Sequence, residues 1–282
     1  MGEHIPSMPA WLLKRTEQMG CKPIPGTYTF GKQELSGFYL LTSGEKNIFM
    51  VGDEDRKTVD AKYLFPSGEG LQPALFLAYK GLVQGLHEHI PEDVLENLQQ
   101  NGFTLTEGYK GALALSAVGF NACYTGGCFC GQKTVKKLEE WGVPIDRITH
   151  IFCDSDLVTN PHVLAGNKAL IKACPHPPKL LLGPNDIFEL VEGVLMPSTA
   201  SPDDWLQEDD TLETVMKNVR TVTIESVEDM QQKIVRLSVT ETSETKVQSG
   251  RVNRQAMNWL KDQLRSEEHT SELQSHSDLV CR

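Results

Sequence analysis

No stretch of this 282-residue chain approaches the about 18–20 consecutive apolar residues that a membrane-spanning helix requires. Its start, MGEHIPSMPAWLLKRTEQMG, has no basic segment followed by an apolar run, so no secretory signal is expected either. Basic residues are in deficit, 27 against 38 acidic, for a formal net charge of −11. An acidic chain gains little from displacing the counterions of nucleic acid, so any such contact must come from a local patch, a bound metal or a further domain. Six of the seven cysteines, all but Cys281, fall mostly in apolar or strand-like contexts, without the regular spacing of a disulfide framework. That usage suits a reducing compartment, and a soluble protein of the cytoplasm or another intracellular space is expected. Internal repeats and low-complexity tracts are absent too.

What is present is a 39 % hydrophobic content, enough for a packed core, and a change of rhythm along the chain. Residues 1–90 mix turn signals with short apolar runs such as GFYLL and NIFMV and read as a strand-rich N-terminal region. From Pro91 onward strands and helices alternate: EDVLENLQQ (helix), FTLTEG (strand), YKGALALSAVG (helix), FNACYT (strand), a helix over 132–141, the strand ITHIFCD, a helix over 161–174, the strand KLLLG and a helix from Asn185. Such alternation predicts βαβ units and a parallel sheet flanked by helices over 91–195. Residues 196–264 open on an acidic linker, STASPDDWLQEDD. They are then expected to form a small α+β segment: a helix (TLETVMKNV), two strands (RTVTIES and KIVRLSVTE) and a helix (RQAMNWLKDQL). Residues 265–282, RSEEHTSELQSHSDLVCR, back-translate onto a common short-read sequencing adapter and are read as an adapter-derived tail. The 196–264 segment is accordingly expected to be cut short.

In an open parallel sheet, ligand-binding groups collect at the carboxyl ends of the strands. Glu107 ends the first strand of the alternating region, and Asp154 and Asp156 end the third. A strand that closes on Asp-x-Asp can turn two carboxylates toward one ion. Mg²⁺ is typically held by one or two carboxylates plus substrate phosphates. A third acid on a neighbouring strand can complete the shell or carry a proton. The alternative for these residues is that Asp154 caps the helix that follows and Glu107 is a solvated loop acid.

The segments LTEGYKGALAL, IFCDSDLVTNPHV and LLGPNDIFEL, in that order and preceded by KYLFPSGEG, resemble the Toprim-like domain of plasmid- and phage-type replication proteins, often fused to helicases. The general pattern, shared with primases and topoisomerases, is one Glu after a first strand and an Asp-x-Asp after a later one. The resemblance implies a Rossmann-type sheet with Glu107 as general acid/base and Asp154 and Asp156 as ligands of Mg²⁺ or Mn²⁺. It also implies that Lys110, one turn beyond Glu107, meets a phosphate. Asp186 stands where the family has an acidic pair, but the first member of that pair is here Asn185. As partners the resemblance implies nucleic acid, DNA before RNA, with nucleotides as further ligands and a helicase domain beyond the truncated end. Primer synthesis, strand cleavage with rejoining, and hydrolysis all stay open. So does a non-catalytic nucleic-acid-binding or interaction role.

Three other motifs compete. Gly126 to Thr134 nearly matches a phosphate-binding P-loop, the basis of an alternative NTPase reading. Gln132 intervenes between Gly131 and Lys133, however, and turns the lysine by about 100° on a helix. Cys123, Cys128 and Cys130 lack the second short-spaced pair of a zinc site and read as small apolar residues. His87-Glu88-His89 lacks the i, i+4 histidines of a metalloprotease helix and reads as a solvated turn.

Overall fold

The computed structural model describes residues 8–59, 62–65, 72–127, 129–184, 188–191 and 194–240. Helix α1 (Ala10–Gln18) leads into an antiparallel meander of β1 (Ile24–Phe30), β2 (Gln33–Leu40), β3 (Ile48–Val51) and, after α2 (Asp53–Val59), β4 (Tyr63–Leu64). Strands β5 (Ala74–Leu77) and β6 (Gly81–Leu82) begin a second, larger sheet. It continues through α3 (Glu92–Asn101), β7 (Phe103–Thr106), α4 (Tyr109–Ala117), β8 (Ala122–Tyr124), α5 (Gly131–Glu140), β9 (Ile148–Cys153), α6 (Pro161–Ala173) and β10 (Lys179–Leu182). A hairpin of β11 (Phe188–Val191) and β12 (Val194–Pro197) follows, then α7 (Pro202–Trp205), α8 (Leu212–Asn218), β13 (Arg220–Val222) and α9 (Ile224–Thr240).

The larger sheet has the order β13-β10-β9-β7-β8-β5-β6. Its four central strands, β10, β9, β7 and β8, are parallel, and β13 and β5 pair antiparallel at their flanks. The sheet is therefore mixed rather than parallel throughout. At one edge the cause is chain length: β6 follows β5 across a turn, too short for the crossover that a parallel pair demands. The sheet also runs past both ends of the 91–195 region, taking β5 and β6 from one side and β13 from the other.

Residue alternation on the strands sorts the helices into two layers. Leu75, Leu105, Cys123, Ile151, Cys153, Leu180 and Val222 share a core with Val94 and Leu98 of α3, Val135 and Leu138 of α5, Leu164 and Leu170 of α6, and Val227 and Met230 of α9. Ala74, Phe76, Ala122, Tyr124, Phe152 and Leu181 share the opposite core with Leu12 of α1, Leu113 and Leu115 of α4, and Val215 of α8. Ile48 and Met50 of β3 join this second core, while Phe49 and Val51 turn away to pack with Leu35 and Leu64. After β7 the chain steps one way to β8, then back across β7 to β9 and on to β10. Because crossovers keep one hand, this reversal sends α4 to one face and α5 and α6 to the other. It also opens a crevice between β7 and β9.

Two expected elements differ. KIVRLSVT, residues 233–240 of the expected strand KIVRLSVTE, belongs to α9, and Glu241 lies outside the described residues. Thr223 and Ser226 exchange backbone-to-hydroxyl bonds of 3.0 and 3.1 Å that start the helix, and burial of Val227 and Met230 on one face outweighs the β-branched composition. The run after Asn185 is the β11–β12 hairpin, not a helix, since a four-residue apolar run carries no period that distinguishes the two. Asn185, Asp186 and the helix expected in RQAMNWLKDQL lie outside the described residues. Among the described residues, no helix is long and apolar enough to cross a membrane.

Gly183, just beyond β10, is pressed by the indole of Trp205. A Cβ built there would lie 2.4 Å from Trp205 Nε1. Gly183→Ala is expected to destabilise the protein by about 1–3 kcal/mol in urea denaturation. The further change Trp205→Leu should recover part of that loss, and no recovery would mean that the indole is not what limits the position.

Candidate functional site

The parallel strands end level with one another. Thr106 of β7 faces Phe152 of β9 and Tyr124 of β8, and Leu182 of β10 faces Cys153. Glu107 and Asp154, the next residues of β7 and β9, therefore leave the sheet at the crevice opened by the reversal of strand order. Asp154 then enters a 3-10 turn, Ser155–Val158. Its first residue, Ser155, is buried and binds the carbonyl of Ala200 through both its amide (2.9 Å) and its hydroxyl (3.2 Å). The turn is held from the other side by Gln231 of α9, whose Nε2 donates to the Leu157 carbonyl at 2.9 Å.

Each acid has its own surroundings. Glu107 accepts a hydrogen bond from Asn167 Nδ2 of α6 at 3.3 Å, and Asn167 Oδ1 accepts a weak one from the thiol of Cys153 at 3.7 Å. Asp156 accepts from Asn160 Nδ2 at 3.5 Å. Burial raises its carboxyl above the usual range, opposed by that bond and by its own backbone N–H. Asp154 is the strained member: its Oδ1 is buried without a hydrogen-bond partner. Burial pushes its carboxyl well above the ordinary value, and the charges of Glu107, then Asp156, then Asp203 push the same way against Lys62. Asp154 does not cap the following helix, since the side chain of Asn160 accepts the amide of His162 there.

Asp203, Lys62 and Tyr63 enter from outside the alternating region. The segment read as an acidic linker is a strap across the strand ends. Pro202 packs on Gly111 of α4, where a Cβ would come within 3.2 Å of its Cδ, and Trp205 stacks on Phe152 at 6.4 Å. Ser201 and Asp204 close a capping box with Pro202 in the first turn of α7. Asp203 thereby meets Lys110, Oδ2 to Nζ at 3.0 Å, with the two side chains only 3 % and 4 % exposed. Lys110 is thus buried at the start of α4 and engaged with Asp203. Tyr63 of β4 and Lys62, the residue before that strand, join them. Burial lowers the lysine, and Lys110 lowers it further. The Tyr63 hydroxyl is buried without a partner near Asp203 and Asp154, and burial holds it well above the usual phenol value. The Ser-Pro-Asp-Asp start was the one sequence signal for the strap, and nothing in the sequence marked Lys62 or Tyr63 as neighbours of Asp154.

Hard cations take carboxylate oxygens, and the unpartnered oxygen of Asp154 beside Asp156 fits one. Among the described residues, no three carboxylate, histidine or thiol groups are gathered tightly enough to hold an ion by themselves. Asp186 lies outside the described residues and Glu107 is turned to Asn167, so the two acids of the Asp-Ser-Asp turn are the candidates. In the P-loop-like segment Thr134 spends its hydroxyl on the Thr125 carbonyl at 2.7 Å, and Lys133 is exposed on α5. Cys123 is buried in β8, Cys128 lies outside the described residues, and His87-Glu88-His89 is an exposed turn.

Two outcomes are expected of this charge arrangement. Removing one member of the Lys110–Asp203 pair strands a buried charge, so Lys110→Met or Asp203→Asn alone should cost about 3–5 kcal/mol in chemical denaturation. The double change Lys110→Met/Asp203→Leu should cost clearly less than the sum. For Asp154 the folded pKa is raised, so its contribution to stability is full below the ordinary carboxylate pKa of about 4 and is lost as pH rises through the folded value. In a chelating buffer Asp154→Asn is therefore expected to raise the melting temperature near neutral pH and to leave it unchanged below about pH 4. A fall near neutral pH would contradict the assignment.

Compared with family models, with curated proteins and with solved structures, the chain matches none.

Proposed function

We propose that this chain is a Toprim-like module of a DNA replication protein, acting on the phosphates of nucleic acid or nucleotides with Mg²⁺ or Mn²⁺. The observation that carries the reading is the buried, unpartnered oxygen of Asp154, set beside Asp156 and Glu107 where the strand order reverses. The order of a Glu after β7 and an Asp-x-Asp after β9, on adjacent parallel strands, supports it further.

Asp154 and Asp156 would hold the cation, which when bound polarises a phosphoryl oxygen and offsets developing negative charge. Asp154 offers its free oxygen, while Asn160 orients Asp156. Glu107, oriented by Asn167, takes a proton from an attacking hydroxyl or returns one to a leaving oxygen. Lys62 brings positive charge to the same crevice and suits an anionic phosphate. Lys110 acts one step back, holding the strap through Asp203.

A second reading, a non-catalytic nucleic-acid-binding scaffold of the same fold, is favoured by Asn185, which stands where the family has the first acid of a pair. One set of variants separates the two. Millimolar MgCl₂ or MnCl₂ is expected to raise the melting temperature of the wild type and to leave Asp154→Asn/Asp156→Asn unmoved. Glu107→Gln should keep the metal-induced shift and lose about 10²–10⁴-fold in turnover of a labelled oligonucleotide. An equal metal response in wild type and double variant would remove the cation site. A retained metal response with no wild-type turnover would favour the scaffold.

A further inference from the structure

The loop from β8 to α5 lies against the candidate site. The amide of Thr125 binds the Thr106 carbonyl at 2.9 Å and the amide of Gly127 binds the Glu107 carbonyl at 3.2 Å, so the loop is tied to the strand end that carries Glu107. Gly126 and Gly127 take φ values of 82° and 100°, a backbone path that side-chain-bearing residues rarely adopt. The loop then delivers Phe129, 67 % exposed, the most exposed large hydrophobic side chain among the described residues.

Immediately after it, α5 carries Lys133 in its first turn, and Lys136 three residues on lies beside it on the helix surface. Both are exposed, and Lys136 makes only a loose 3.9 Å contact with Glu140. The opposite face of the helix, Thr134, Val135 and Leu138, is buried against the core. In a chain of net charge −11, an aromatic ring followed by two outward lysines on the rim of an acidic crevice is a local exception.

We infer that Phe129, with Lys133 and Lys136, is a platform for single-stranded nucleic acid, the ring stacking on a base while the lysines meet the phosphates of the strand that leads to Glu107 and Asp154. The inference rests on the reading of those acids as a phosphate-chemistry site and adds what presents the substrate to them. Charge complementarity selects this occupant. A base offers a flat face to the ring and its phosphates offer anions to the lysines. A purely apolar partner would leave both lysines without a counter-charge. Stacking of this kind tolerates any base, because every base has a π face.

The test uses the full chain in EDTA with fluorescein-labelled oligo-dT and oligo-rU of about 12 nucleotides, within the usual site sizes for such grooves, read by fluorescence anisotropy. Phe129→Ala is expected to weaken binding by about 5- to 150-fold, the span of one base–aromatic stack. Phe129→Trp should retain affinity and Phe129→Leu should not, which separates stacking from mere hydrophobicity. Lys133→Gln/Lys136→Gln should lower the slope of log affinity against log salt by about 1.4, two phosphate contacts on a single strand. In EDTA, Asp154→Asn/Asp156→Asn takes negative charge out of the path of the strand and should bind the oligonucleotide at least as tightly as the wild type, so loss of the metal response without loss of platform binding separates the two claims. Wild-type-like affinity and salt slope in the Phe129 and lysine variants would overturn the platform and leave the cation site standing. No oligonucleotide binding by the wild type would overturn it too. So would a Phe129→Ala change that only converts a dimer to a monomer in sedimentation, which would make the face a self-association surface.

Discussion

Charge withdrawn from water at one end of a sheet is the constraint around which the molecule is built. Asp154, Asp156, Glu107 and Asp203 converge at the carboxyl ends of β7 and β9, and burying like charges together is unfavourable unless something offsets them. Lys110 offsets Asp203 directly, and Asn167 and Asn160 give hydrogen bonds to Glu107 and Asp156. Asp154 is left as the residual: a buried oxygen without a partner, with three acids nearby and one half-buried lysine to oppose them. A site under-compensated in this way is at its least stable when empty and ionised, and a divalent cation is the simplest group that would relieve it.

The same constraint explains why three separate stretches of chain meet at that point. The sheet provides the two strand ends, the Ser201–Trp205 strap provides Asp203, and the N-terminal meander provides Lys62 and Tyr63. The strap is held by unlike contacts that reinforce one another: the two hydrogen bonds of Ser155 to the Ala200 carbonyl, Pro202 on Gly111, Trp205 on Gly183, and a buried ion pair. A helix that is buried along almost its whole length, α4, serves as the surface on which this happens. It lies between the sheet on one side and α1 and α7 on others, so its first turn can keep Lys110 out of water.

Much of this was legible from residue order. The strands FTLT, ITHIFC and KLLL and the helices after Pro91, Gly108 and Asn160 stand where apolar periodicity and turn residues put them, and Glu107 and Asp154 fall at adjacent strand ends as the alternation implied. Less legible were elements whose local signal was ambiguous. KIVRLSVT has a strand-like composition but sits in a helix already started by Thr223 and Ser226. The acidic run after residue 200 reads as a linker because its charges are dense, yet Asp203 is buried.

By itself, then, the sequence determined the identity of the strand-end acids and the layered α/β plan, because period, turn chemistry and strand length act over a few residues and are written locally. Only the tertiary structure decided which acid is paired and which is left bare, that Lys110 faces inward, and that Lys62 and Tyr63 stand at the same crevice. Those outcomes depend on burial and on charge contacts between residues far apart in the chain. Neither quantity exists until the layers have packed.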